Sequence, residues 1–140
     1  MKTIVMYYTF GGASKKEAER IAAEDKDAVL CEVQEKKKRN MFTAFFPGCP
    51  QAMKRSASEI KEILYNLTDY ERIVIVAPIW AGFPVPAFNA IVNLLPAGKE
   101  VELFFCSGGG EAPKSEEGTK KIIQDRNCKL IAYHDIRTSK

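Results

Sequence analysis

Five stretches of this chain are apolar nearly without interruption, and amphipathic or loop-like segments separate them. Residues 3–8, 28–33, 72–77, 101–106 and 129–133 are short, rich in β-branched and aromatic side chains, and carry little alternation of polar and apolar positions. That pattern predicts strands covered on both faces. Between the first two strands, Ala18, Ile21 and Ala22 form a narrow apolar stripe while Lys16, Glu19, Arg20 and Glu24 fall opposite, which predicts a helix over 15–24. Ser56-Ala57-Ser58-Glu59 fits a capping box, and Ile60, Ile63, Leu64 and Leu67 follow at i, i+3, i+4 and i+7. This is the strongest helical periodicity in the chain. Further helices are predicted where Ala87, Ala90, Ile91 and Leu94 recur before Pro96, and over 115–126 with Ile122 and Ile123 inward.

Residues 35–55 follow neither period. A basic run, Lys36-Lys37-Lys38-Arg39, leads into an aromatic cluster ending at Phe45-Phe46, and Pro47-Gly48-Cys49-Pro50 breaks it. The cluster is expected to be a short helix or an apolar loop packed beneath another element. The basic run reads as a solvated loop.

Strands alternating with helices imply an α/β fold, a parallel sheet with helices on both faces, spanning residues 1–140 as one domain. Sheets of this kind bind ligands beyond the carboxyl ends of their strands. Three unusual loops all follow strands and therefore gather at that edge: residues 9–14, 78–86 and 107–111. The first presents Thr9, Phe10, Gly11, Gly12, Ala13 and Ser14 at the start of a helix, where backbone N–H groups and hydroxyls suit an anion. It lacks the Gly-Lys-Ser/Thr of a P-loop and the spacing of the dinucleotide fingerprint. The second carries Pro78, Ile79, Trp80, Ala81, Gly82 and Phe83, with the only tryptophan of the chain placed to stack on a planar ligand or to cap the core. The third, Ser107, Gly108, Gly109 and Gly110, offers small residues and unobstructed backbone.

Composition narrows the chemistry. The chain is 46% hydrophobic and 28% charged with a formal net charge of +3, and no apolar run reaches the ~20 residues of a membrane span. It enters a strand pattern directly after Met1-Lys2, with no export signal. The four cysteines, Cys31, Cys49, Cys106 and Cys128, lack metal-ligand or C-x-x-C spacing, and His134 is the single histidine. The expectation is a cytoplasmic protein with free thiols, no metal site, no nucleic-acid partner and no membrane partner. No acid–base dyad is evident.

Taken together, the three loops resemble those of the short-chain flavodoxins, in the right order over nearly the whole chain; the Trp80 stretch is the most specific. The resemblance implies a five-stranded sheet in the order 2-1-3-4-5 within a three-layer sandwich. It implies FMN as cofactor, with the phosphate on residues 9–14, Trp80 flanking the ring, and the Ala81-Gly82 peptide near the flavin N5, where glycine eases a backbone flip. Ser107, Gly108 and Gly109 would line the pyrimidine side. Gly11 stands where the family usually has a third hydroxyl, and the mild positive charge departs from the acidic surface of many electron carriers. The expected function is electron transfer with a redox partner protein or a small-molecule acceptor. The alternatives are an FMN-dependent NAD(P)H:quinone-type reductase, with residues 42–46 supplying a pocket wall, and a cofactor-free binding module. Whether the chain is an enzyme stays open at this level. Response-regulator receivers and low-molecular-weight phosphatases are excluded, because the loop after the first strand lacks their acidic pair or their Cys and Arg.

Overall fold

A computed structural model describes residues 2–138; Met1, Ser139 and Lys140, within the expected 1–140 span, lie outside the described residues. The strands are β1 (Thr3–Tyr7), β2 (Val29–Glu32), β3 (Arg72–Trp80), β4 (Phe83–Pro84), β5 (Glu100–Ser107) and β6 (Lys129–Arg137). The helices are α1 (Ala13–Ala23), α2 (Met41–Thr43), α3 (Cys49–Met53), α4 (Pro86–Val92) and α5 (Pro113–Asp125). Five strands form a parallel sheet in the order β2-β1-β3-β5-β6, and β4 adds to β3 antiparallel. Counting the parallel strands alone, this is the expected order 2-1-3-4-5.

The apolar runs of the sequence are central strands because both of their faces are covered. Ile4, Met6, Ile73, Ile75, Leu103 and Phe105 point to one side, where Phe88 and Ile91 of α4 and Ile123 of α5 meet them. Val5, Tyr7, Val74, Val76 and Phe104 point to the other, against Ala18, Ile21 and Ala22 of α1. Burying a Leu, Ile or Phe side chain contributes about 1.5–3 kcal/mol, so this double layer dominates the stability of the fold.

The structure departs from sequence expectation in the long connection between β2 and β3. Residues 56–66, with the capping box and the strongest helical period, are not helical. Their backbone is satisfied from elsewhere: Lys36 N donates to Glu59 O (2.9 Å), Lys61 N donates to Gln34 O (2.8 Å), and Glu35 and Ile60 form a bridge. The Asn89 amide donates to Ser56 O (3.1 Å), and Ser58 N to Pro86 O (3.4 Å), which ties the segment to the start of α4. Ile60 and Ile63 pack on the core, but Leu64 is 88% exposed. A helix this short is marginal in water without a fully buried stripe, and ladder bonds to a neighbouring segment win.

The aromatic segment is helical in its first turn. Asn40 caps α2, its side chain accepting from Thr43 N while Thr43 Oγ1 accepts from Asn40 N (both 2.9 Å). A wide turn, Ala44–Gly48, then leads into α3. Its inward residues are Ala44, Gly48 and Ala52; Phe42, Phe45 and Phe46 face outward, not under another element. At the far end, β6 continues past the expected Tyr133 to Arg137, with a bulge opposite Val101 and Glu102.

Candidate functional site

The carboxyl ends of β1, β3 and β5 lie side by side. Tyr7 pairs with Val76, and Pro78 pairs with Cys106. At about 4.8 Å between neighbouring strands, the three loops rise from one edge.

The loop after β1 begins where Tyr8 N donates to Val76 O (3.1 Å). Thr9 Oγ1 accepts from Gly12 N (2.9 Å), which closes the turn and leaves the threonine O–H free to donate. Gly12 is the residue before α1 and has φ 101°, a left-handed conformation that glycine adopts without a Cβ penalty. Glycine has no side chain with which to cap the helix, and the first-turn N–H groups of Ala13, Ser14 and Lys15, which have no intrahelical acceptor, stay uncapped. A Cβ added at Gly11 or Gly12 would meet nothing within 4 Å, so the space over the loop is open. Ser14 is 2% exposed, and its Oγ is buried without a hydrogen-bond partner. It lies beside the Cys106 thiol, whose pKa burial pushes up against the opposing, lowering contact with Ser14. A thiol is a weak partner, and the hydroxyl stays unsatisfied. Lys15 and Lys16 are solvent-exposed.

The second stretch is a hairpin rather than a loop. Pro78, Ile79 and Trp80 are the last residues of β3, and Ala81 (φ 54°) and Gly82 (φ 84°) make the two-residue turn into β4. Both turn residues are left-handed, as the tight turns favoured in hairpins require. Trp80 meets Tyr8 and Phe10 edge-on, with centroids 6.3 and 5.7 Å apart. The Arg39 guanidinium lies over its ring at 5.5 Å. Phe83 carries the Arg55 guanidinium over its own ring at 5.3 Å.

In the third loop, Gly110 N donates to Ser107 Oγ (3.0 Å), and Thr138 N to Ser107 O (2.9 Å). Gly110 (φ 86°) packs on the Arg137 side chain, while Gly108 and Gly109 face open space. The structure thus brings all the sequence-predicted site residues to one edge, with Pro78, Ile79, Trp80, Phe83 and Ser107 in strands.

Sequence reasoning missed the support beneath Trp80. Tyr8 OH donates to Glu35 Oε1 (2.7 Å), and Arg39 donates to both oxygens of Glu35 (2.8 and 3.0 Å). Arg39 also donates to Thr43 O (3.1 Å) and Gln51 Oε1 (3.0 Å). Burial and then the bond to Glu35 raise the Tyr8 pKa, so the phenol stays protonated. Of the basic run, Lys36, Lys37 and Lys38 are the expected solvated residues, whereas Arg39 is drawn inward. The only local sign was arginine where its neighbours are lysine; a planar, five-donor fork suits a buried carboxylate. His134, the single histidine, sits on β6 with Nε2 2.8 Å from Glu102 Oε2 and its ring stacked on Phe104.

No protein-family model matches the chain, and no curated protein matches it. Solved structures do. A flavoprotein from Lactobacillus acidophilus in complex with FMN superposes with a TM-score of 0.80 at 24% identity, covering 94% of this chain and 91% of that one. The apo-form of the flavoprotein from the same organism gives 0.73 at 25% identity, over 96% and 92%. Oxidised flavodoxin 1 from Bacillus cereus gives 0.55 at 14%, over 100% and 88%. The protein has the flavodoxin-like fold, and the resemblance carried by the three loops holds for the architecture.

Proposed function

We propose that the chain binds FMN noncovalently at the carboxyl edge of the sheet and serves as an electron-transfer protein in the cytoplasm. One observation carries the reading: the buried, unpartnered Ser14 hydroxyl beside a helix N-terminus that no side chain caps. A phosphate would accept from Ser14, from the free Thr9 O–H and from the N–H groups of Ala13, Ser14 and Lys15. This donor set fits a dianion even with Gly11 in place of a third hydroxyl. Trp80 and Phe10 would flank the ring, Ala81 and Gly82 would lie near its reactive edge, and Ser107, Gly108 and Gly109 would meet its polar edge through backbone. Bound flavin supplies one- and two-electron chemistry; the protein's part is to bind, orient and shield it. The flavoprotein of Lactobacillus acidophilus, similar over most of its length, is itself an FMN complex.

A carrier is favoured over an NAD(P)H:quinone-type reductase because Phe42, Phe45 and Phe46 face outward and do not wall a second pocket. The partner is then a redox protein or a small-molecule acceptor. Titration with FMN should quench flavin fluorescence to a saturable endpoint, and Trp80→Ala should weaken binding by about 1 kcal/mol, roughly fivefold in Kd. Reduction by NADH or NADPH alone, under anaerobic conditions, should be slow. Absence of quenching would sink the redox reading and leave a cofactor-free module; rapid direct reduction would make the protein a reductase.

A further inference from the structure

Residues 36–55 contain six basic residues and no aspartate or glutamate. Two of the six are committed internally: Arg39 to Glu35, and Arg55 to Thr119 Oγ1 and Ser115 O. Lys36, Lys37, Lys38 and Lys54 are exposed, and none makes an ion pair among the described residues. Within the same segment stand the most exposed aromatic side chains of the molecule: Phe42 75%, Phe45 74% and Phe46 56%, with Met41 78% and Met53 54% beside them. Ala44, Gly48 and Ala52 recur every fourth residue and turn inward. The small residues hold the segment down, which forces the large apolar ones outward.

A cluster of large apolar side chains exposed in this way marks an interaction surface. Three occupants can be compared. A second copy would set Lys36, Lys37 and Lys38 of one chain near those of the other, and like charges oppose it. A protein partner is less suited, because lysine is depleted at protein interfaces and these side chains project from the surface instead of lining a groove. An anionic bilayer satisfies both features, since apolar side chains enter the boundary between headgroups and acyl chains while flanking lysines meet lipid phosphates.

We propose that residues 41–53 are a membrane-surface contact, with Met41, Phe42, Phe45 and Phe46 dipping into an anionic bilayer and Lys36, Lys37, Lys38 and Lys54 held at its phosphates. No helix among the described residues is long and apolar enough to cross a membrane, so the contact is peripheral. Gly48 of this segment abuts Trp80, so docking brings the carboxyl edge of the sheet to the lipid surface. The surface contact does not depend on FMN, and its test is separable from the cofactor reading.

The test is co-sedimentation of the whole chain, with and without saturating FMN, with vesicles of phosphatidylcholine alone or mixed with phosphatidylglycerol, at low and high salt. We expect about tenfold stronger partition onto the anionic vesicles, weakened by salt. The double substitution Phe42→Ser/Phe45→Ser should reduce it about tenfold. The triple substitution Lys36→Gln/Lys37→Gln/Lys38→Gln should reduce it similarly and remove most of the salt dependence. All five positions are exposed, and unchanged circular-dichroism melts would verify that the variants fold. Partition that is absent, equal on neutral vesicles, or indifferent to both variants would overturn the proposal. So would concentration-dependent dimerisation abolished by Phe42→Ser/Phe45→Ser, which would make the patch a self-interface. Vesicle binding lost on saturation with FMN would also overturn it, because the segment would then be a wall of the cofactor site.

Discussion

A hydroxyl buried without a partner, as at Ser14, costs the free protein about 1–3 kcal/mol, and a phosphate that accepted its hydrogen bond would remove that cost. Stability and affinity therefore pull apart at this residue. Ser14→Ala should stabilise the cofactor-free protein by about 1 kcal/mol in urea denaturation while weakening FMN binding in a fluorescence titration. If both quantities fell together, the hydroxyl would be a structural partner rather than a ligand group. Asp135 presents a different tension. Its Oδ1 is buried and unpartnered, and burial first, then Glu116 and Glu111, raise its pKa against the pull of Lys120. A carboxyl whose folded-state pKa exceeds its unfolded value binds its proton more tightly when folded. The penalty for its charge is full above the raised pKa and disappears below the unfolded value of about 3.9. Asp135→Asn should raise the melting temperature at neutral pH, and the gain should shrink as the pH falls through the raised pKa and be gone below about 4. A gain that persisted in acid would mean that packing, not charge, was responsible.

Among the elements, the connection over 33–71 departs furthest from its local sequence preferences. Distant contacts hold it, with Tyr8 on Glu35, Arg55 on α5 and Gly48 pressed against the indole, and the local pair of Arg39 and Glu35 adds to them. A Cβ at Gly48 would sit 2.9 Å from Trp80 Cζ3, 3.0 Å from Arg39 Nη1 and 3.2 Å from the Thr43 carbonyl oxygen. The carbonyl is backbone and cannot step aside. Gly48→Ala should therefore cost about 1–3 kcal/mol, with a shift in emission because Trp80 is the only tryptophan. An unchanged spectrum and midpoint would show that the segment floats free of the indole. The hairpin at Ala81 and Gly82 is the second element whose form depends on long-range context. Its proline-rich sequence suggests a loop, but β3 continues to Trp80 because β5 supplies paired backbone as far as Pro78.

At the scale of the whole molecule, a ligand that binds only the folded state stabilises it by mass action. FMN at a hundred times its Kd should add about 2.7 kcal/mol to the unfolding free energy. Riboflavin, which has the ring without the phosphate, should add much less at the same concentration, since the donors at the start of α1 would have nothing to hold. Equal shifts in the two melting curves would place the affinity on the ring alone and leave the loop after β1 without a role in binding.

The α/β architecture and the clustering of three loops at one edge were legible in the chain alone, because a strand buried on both faces needs a continuous apolar run. Such a run is a local property, as are the glycines and hydroxyls of residues 9–14. The helical period of Ile60, Ile63, Leu64 and Leu67 was equally legible and did not decide the outcome. Its stripe finds core for Ile60, Ile63 and Leu67 only, and residues 34–36 offer its backbone better partners. Arg39 looked like the end of a solvated run until Glu35, Thr43, Gln51 and Trp80 converged on it. The direction of Phe42 and Phe45 was likewise settled by which small residues found the core. The chain by itself determined what could be read from neighbours a few residues apart. Tertiary structure decided everything whose partner lies across the sheet, because the free energy of a short segment is set by the surface and hydrogen bonds it is offered, not by its own period.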